Sequence, residues 1–259
     1  MTQLIHNKIS REWKYFLVSM SYFTRIPVGT IPDFITLDLN RALRYLPWIG
    51  LASGAICSLV FIGASNVLPT AIAALLTIGA SGLITGFFHE DGFADTCDSF
   101  GAYTRENKLE IMKDSRIGVY GATGIWFLLT LKLVLLTSLP IEHVPVLLVL
   151  SHSISRLVPL LLISTLHYVS DNTSAKFKPV ATMITRVDIA IGCLTLPLIM
   201  LLAPAISLIS IFATLIASTA LAKFGKRQFG GYTGDYLGFS QQTTEIMILL
   251  TGVIYWSSM

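Results

Sequence analysis

Apolar residues run in long blocks along this chain, separated by short polar stretches that hold most of the charge. A helix needs roughly 20 apolar residues to cross a hydrocarbon core of about 30 Å. Four blocks reach or approach that length, at residues 46–68, 70–88, 117–139 and 144–166. Two shorter ones, 189–203 and 206–222, flank Pro204 and predict a tight hairpin of thin or incompletely crossing helices. A last stretch, 246–256, is short for a span and is expected to begin earlier, at Gln241, with a polar half buried in protein or facing water. Near the start, Trp13, Phe16, Leu17 and Met20 share one helical face opposite Arg11 and Lys14, the pattern of a helix lying in the membrane interface.

Composition agrees with the pattern. Of 259 residues, 53% are hydrophobic and only 13% charged, with mean hydropathy +0.70, whereas soluble domains carry roughly 25% charged residues. A water-soluble or disordered chain is excluded, and a net charge of +3 is too thin for a nucleic-acid-binding stripe. Cys57, Cys97 and Cys193 stand far apart and suggest neither a zinc site nor a disulfide framework. The first 30 residues lack the apolar core and cleavage site of a secretory signal, so the N-terminus is expected to stay on the mature protein.

Cations set the expected orientation, because cytoplasmic loops keep Lys and Arg. Lys8, Arg11, Lys14, Arg25, Arg41 and Arg44 precede the first span, and Arg105, Lys108, Lys113 and Arg116 follow the second. Lys176, Lys178 and Arg186 follow the fourth, and Lys223, Lys226 and Arg227 the sixth, leaving only Lys132 and Arg156 inside spans. The expectation is one all-α polytopic membrane bundle over 1–259, with about seven transmembrane segments and a cytoplasmic N-terminus. Within it lie an interfacial segment (1–45), an acidic loop (89–116) and a Gly-rich loop (223–245). Gly50 with Gly54 and Gly82 with Gly86 have the small-xxx-small spacing of close helix packing.

The chemistry concentrates where the second block ends. Asp91, Asp95 and Asp98 are spaced i, i+4, i+7, so a continuing helix carries all three on one face. Three like charges repel unless a cation lies between them, and Mg²⁺ or Mn²⁺ suits oxygen ligands shared with substrate phosphates. A solvated acidic turn is the plain alternative, but polar groups at a membrane helix end are costly unless used. A second box, Lys113, Asp114 and Arg116 ahead of Gly118, Gly121 and Gly124, offers cations and exposed backbone suited to phosphate, or glycines for helix packing. A third, residues 230–238, is glycine-rich around Thr233 and Asp235 and leads into Gln241, Gln242, Thr244 and Glu245. Arg156, inside a span, faces the bundle interior with a phosphate or carboxylate partner, or else snorkels to the interface. His152 reads as a satisfied interface histidine, and Lys132 as packing or snorkelling. Asn172-Thr173-Ser174 is a glycosylation triplet on the expected cytoplasmic side, hence unused. Metal-dependent chemistry on a phosphate-bearing substrate is the sharpest inference. A transporter competes, although transporter sites lie near the bilayer midplane and these boxes lie in loops.

Four stretches together resemble the cobalamin synthase family: residues 23–28 (FTRIPV), 89–95 (HEDGFAD) with Asp98, 111–121 (IMKDSRIGVYG) and 231–238 (GYTGDYLG). They span nearly the whole chain, with mild departures at Cys97, Ser99 and Ala102. A shorter likeness to CDP-alcohol phosphotransferases, through Asp91-Gly92-Phe93-Ala94-Asp95, keeps phospholipid synthesis as an alternative. The resemblance implies attack by a hydroxyl of α-ribazole, or of its 5'-phosphate, on adenosylcobinamide-GDP, with release of GMP at a cytoplasmic site in the bacterial inner membrane. It implies Mg²⁺ on Asp91, Asp95 and Asp98, and Asp114 as a further ligand or base. Lys113, Arg116 and Arg25 would neutralise the departing phosphate, Thr233 and Asp235 would orient a hydroxyl, and His89 and Glu90 would fix the metal ligands. Asp171 lies outside this set. The lipid bilayer is an expected partner, and a homo-oligomer or other cobalamin-pathway proteins are left open.

Overall fold

The computed structural model describes residues 2–31, 36–169 and 182–258. Asp171, the 172–174 triplet, Lys176 and Lys178 lie outside the described residues. Within them the structure is helical apart from one isolated bridge between Tyr168 and Tyr232. In chain order the helices are α1 (Thr2–Phe23), α2 (Thr36–Ala42), α3 (Leu46–Ser65), α4 (Thr70–Thr85), α5 (Phe88–Ser99) and α6 (Arg105–Ile111). There follow α7 (Val119–Thr137), α8 (Val144–Ser155), α9 (Leu157–Thr165), α10 (Arg186–Cys193), α11 (Thr195–Leu202), α12 (Pro204–Gln228) and α13 (Gly234–Ser257).

Among the described residues four helical stretches are long and apolar enough to cross a membrane: Leu39–Ser65, Val119–Thr137, Ile141–Thr165 and Pro204–Gln228. A fifth arises if α4 and α5 form one broken span. The fold is therefore an all-α polytopic membrane bundle; the count of seven and the orientation stay expectations. The α8–α9 stretch is central, with 89% of its apolar window buried. Leu59, Phe127 and Phe212 stand exposed on α3, α7 and α12, the outward apolar surface of a lipid-facing bundle.

Three boundaries differ from expectation. The second block does not run to residue 88. α4 stops at Thr85, where Gly86 (φ +63°) and Phe87 (φ +55°) are both left-handed, and α5 leaves at 93°. Gly86 thus serves the corner, and Gly82 leaves room for the Phe87 ring, so this glycine pair is not a helix-packing pair. The paired thin helices around Pro204 are instead α10 and α11 followed by a full 25-residue α12, because proline suits the first turn of a helix. The last helix starts at Gly234, two turns before Gln241, and of the two expected settings for its polar half the structure has the first: Gln241, Gln242, Thr244 and Glu245 are buried in protein. On α1, Trp13 is exposed beside Phe16, whereas Phe16 and Met20 pack on the core.

The apolar interior is divided. One cluster gathers Phe23, Leu43, Val158, Phe229 and Tyr236, and the other Phe61, Leu136, Leu147, Ile206 and Leu249. In α13 the residues between Leu237 and Ile248, and at the α8–α9 joint Ser155 and Arg156, form a polar layer between them. Outside the spans, Asp188 caps α10 through Thr185 and pairs with Arg44 and Arg41, while Arg44 also holds Glu12, tying α1 and α10 to the segment before α3.

The α3–α8 contact depends on glycine: a Cβ at Gly50 would lie 2.2 Å from the His152 carbonyl oxygen, and one at Gly54 2.8 Å from that of Leu148. Gly79 has open space around its Cβ direction. Thermal unfolding in detergent should show Gly50→Ala destabilised by about 1–3 kcal/mol, and Gly79→Ala neutral or stabilised by up to about 1 kcal/mol. Asp188 gives a pH test. Burial opposes its charge, but the Thr185 hydroxyl and backbone N–H, Arg44 and Arg41 outweigh it and hold the carboxyl below its ordinary value. Its contribution is then complete above the ordinary carboxylate range, about pH 4, and disappears as pH falls through the depressed folded value. The stability gap between wild type and Asp188→Asn should therefore be full at neutral pH and close on acidification.

Candidate active site

The α4–α5 corner builds the site. α5 is a separate helix rather than a continuation of α4, but it still carries Asp91, Asp95 and Asp98 on one face, with Asp91 exposed and the other two half-buried. The opposite face, with His89, Glu90 and Gly92, is buried. Gly92 makes that possible. A Cβ there would lie 2.8 Å from the Asp235 carbonyl oxygen, and one at Gly238 3.0 Å from that of His89. Glycine on both helices lets α5 cross the first turn of α13 backbone to backbone, which sets Asp235 beside the acidic helix.

The basic box joins the same corner through Asp98. The N–H of Gly118 donates to its Oδ2 at 2.8 Å and that of Gly121 to its Oδ1 at 2.7 Å. These amides are therefore not open backbone for a phosphate. A Cβ at either glycine would collide with the carboxylate, so the glycines serve packing, with Asp98 binding the entrance of α7 to α5. Asp114 holds exposed Arg116: its Oδ1 accepts from Nε at 3.0 Å and its Oδ2 from Nη2 at 2.6 Å. Lys113 is exposed in the same loop. Thr233 is buried and caps α13, its hydroxyl accepting from the Tyr236 N–H at 3.1 Å and lying 3.6 Å from the Met112 sulfur. Arg25 closes the corner, with its N–H on the Ile84 carbonyl at 2.7 Å and its guanidinium against Gly86. The four sequence boxes thus meet at one end of the bundle.

Beneath them lies the polar layer. Lys132 is 4% exposed and places Nζ 2.6 Å from Glu245 and 3.9 Å from Glu90. Gln242 donates to Glu90 at 3.1 Å and to Gln241 at 2.9 Å, and Gln241 donates to Glu245 at 2.8 Å and Ser155 at 2.9 Å. Lys132 is consequently neither packing nor snorkelling. Its charge was legible, but its partner Glu245 lies in another helix far along the chain, which spacing cannot reveal. Arg156 is in this layer too, not on the acidic face, with Nη1 donating to the His152 carbonyl at 2.7 Å. His152 is the expected satisfied histidine, its Nε2 3.0 Å from Ser81 Oγ. Tyr22, not singled out in sequence, abuts the corner through Phe88; burial, with Tyr168 and Asp235 nearby, pushes its hydroxyl up to about 12, so it remains a neutral donor.

Among the described residues no three His, Cys, Asp or Glu side chains converge as a ready metal cage. Mg²⁺ does not need one, since one or two carboxylates plus substrate phosphate satisfy it. The hard oxygen donors of Asp91 and Asp95 on an accessible face fit such an ion.

Fold and site together define a polytopic membrane protein with an acidic and basic surface centre at one bundle end. The family model described as cobalamin-5-phosphate synthase matches residues 15–253. Relatives named adenosylcobinamide-GDP ribazoletransferase include one from Shewanella amazonensis, 39% identical over 95% of this chain and 97% of its own. One from Shewanella frigidimarina is 43% identical over 93% and 94%, and one from Vibrio cholerae 42% over 92% and 93%. No solved structure matches. The chain belongs to the cobalamin-5-phosphate synthase family.

Removing the Lys132 charge strands Glu245 in the interior. Lys132→Met should cost about 3–5 kcal/mol, read as a loss of melting temperature in detergent, and Lys132→Met with Glu245→Leu should recover much of it.

Proposed function

We propose that this chain joins adenosylcobinamide-GDP to α-ribazole or α-ribazole 5'-phosphate and releases GMP, as a metal-dependent transferase acting at the cytoplasmic face of a bacterial inner membrane. The observation that carries this reading is the meeting of the four motif stretches at one bundle end, in a chain that its family model matches over 15–253. The one-sided distribution of cations supports the orientation.

In the reaction a ribose hydroxyl attacks the cobinamide-side phosphorus, and the bond from that phosphorus to the bridging oxygen breaks, so GMP leaves with that oxygen. Such transfer asks for alignment and charge neutralisation more than for covalent catalysis. Bound Mg²⁺, or Mn²⁺, supplies neutralising charge at the pyrophosphate. Asp91 and Asp95 would hold it, with Asp98 contributing from the same face while it fixes α7 to α5. Lys113, Arg116 and Arg25 neutralise the departing GMP phosphate, and the clamp from Asp114 steadies the Arg116 guanidinium. Asp114 is also the carboxylate available as base or further ligand. Asp235 orients the attacking hydroxyl, and Thr233 holds Asp235 in place by capping α13. His89 and Glu90 act from the interior by fixing the buried face of α5, while Arg156 stays in the polar layer with its Nη1 on the His152 carbonyl.

GMP release by the purified protein in lipid should require adenosylcobinamide-GDP, α-ribazole 5'-phosphate and Mg²⁺ together. Asp95→Asn should lower kcat by roughly 10²–10³-fold, the scale of losing one electrostatic stabiliser, with the melting temperature kept and Asp171→Asn near wild type. GMP formed without ribazole would mark a hydrolase instead.

A further inference from the structure

Between the end of α5 and the first turns of α7 lies an open apolar groove of about 370 Å³, within the range of roughly 300–1,000 Å³ for small-molecule sites. The space beside His89 holds only about 50 Å³ and that beside Lys132 about 10 Å³, so neither admits a substrate group. Phe100, Tyr120, Thr123 and Phe127 line the groove, and Tyr120 and Phe127 are each more than half exposed. Glycine shapes it. A Cβ at Gly124 would lie 2.8 Å from the Cys97 sulfur, and one at Gly101 3.3 Å from the Tyr120 ring. Their bare backbones let α7 close on α5 and let Tyr120 lie against the loop that follows α5.

The groove is continuous with the site through Asp98. Cys97, in its wall, precedes Asp98 on α5, and the Asp98 carboxylate accepts from the N–H groups of Gly118 and Gly121, which flank Val119 and Tyr120 at its other wall. Asp95 and Asp91 follow one and two turns back along α5. In the other direction, α7 is one of the apolar spans, and it rises about 12 Å from Val119 to Phe127, so the groove runs from the acidic face toward hydrocarbon. A ligand that uses both ends needs a phosphate group joined to a broad apolar body. Of the substrates in the transferase reading, adenosylcobinamide-GDP alone has that form: its corrin macrocycle is apolar across its faces and carries amides at its rim. The Tyr120 and Thr123 hydroxyls among the rings suit such a rim, whereas an acyl chain needs no hydroxyl and no contact with the acidic face.

Resting on the transferase reading above, we propose that this groove seats one edge of the corrinoid of adenosylcobinamide-GDP, with the diphosphate arm passing over Asp98 to the acidic face. The macrocycle then lies at the membrane boundary against Tyr120 and Phe127, and the phosphorus under attack lies over Asp91 and Asp95. The groove acts on the donor alone; the acceptor approaches from the side of Asp235.

The test uses the full chain in lipid vesicles without Mg²⁺, and adenosylcobinamide, which carries the macrocycle but no diphosphate. Equilibrium dialysis against protein-free vesicles of the same lipid should show wild type retaining adenosylcobinamide. Thr123→Trp, which fills the groove from α7, should weaken that binding at least about tenfold, equivalent to about 1.4 kcal/mol, with GMP binding unchanged. With Mg²⁺ and both substrates, the same variant should raise KM for adenosylcobinamide-GDP by a similar factor and leave KM for α-ribazole 5'-phosphate near wild type. A Thr123→Trp protein that holds adenosylcobinamide as well as wild type does, the result expected of a groove that carries only a lipid chain, would overturn the assignment. So would a wild type that retains none beyond the vesicles yet makes joined product and GMP; the transferase reading survives both results. A wild type that makes no joined product would overturn the transferase reading itself. If Thr123→Trp fails to fold, Phe127→Ala, which removes a wall of the groove, decides in its place: several-fold weaker adenosylcobinamide binding supports the assignment, and unchanged binding overturns it.

Discussion

The ammonium of Lys132, held between Glu245 and Glu90 in the interior of the bundle, is the contact on which the remaining geometry depends. A charge taken out of water is tolerated only with a partner. Here two cations, Lys132 and Arg156, face two carboxylates, Glu90 and Glu245, with Gln241, Gln242 and Ser155 bridging them. The layer is neutral as a set and lies between two apolar clusters. Sliding or rotating α5, α7 or α13 by one residue would unpair a charge. The apolar clusters alone would penalise such a slip far less, because one aliphatic contact replaces another at small cost.

This anchoring explains how one short helix serves two purposes. Glu90 and His89 point α5 into the bundle, and Gly92 lets its backbone meet α13 directly. Helical geometry then carries Asp91, Asp95 and Asp98 on the other face, Asp91 in the open and Asp98 against the entrance of α7. The corner ahead of α5 is rigid for its own reasons. A left-handed Phe87 following a left-handed Gly86 is a strained arrangement, retained because Gly82 accepts the ring and Arg25 covers the turn. Acidic side chains are thereby presented on a backbone fixed at both ends, as electrostatic chemistry on phosphate requires.

Asp98 illustrates how a residue can belong to the site and to its frame. Its carboxylate takes the first amides of α7, which brings the basic box back to the acidic helix and makes a single centre from segments separated along the chain. Thr233 does the same for the glycine-rich box, as a helix cap. Glycine at 92, 118, 121 and 238 was visible as composition, but its purpose is a set of close approaches that exist only between segments.

The membrane class, the helical content, a polar half at the start of the last helix and the family were all legible in residue order. Each depends on local quantities: apolar run length, charge density and motif spacing. Partners across helices were not legible. Lys132 with Glu245, Asp98 with Gly118 and Gly121, and the groove between α5 and α7 join residues from different helices, and no periodicity encodes which two faces will meet. The 93° corner escaped for the same reason. Residues 70–88 read as one apolar run, and the turn at Gly86 and Phe87 forms because Arg25, Gly82 and the first turn of α13 hold α5 across the end of the bundle.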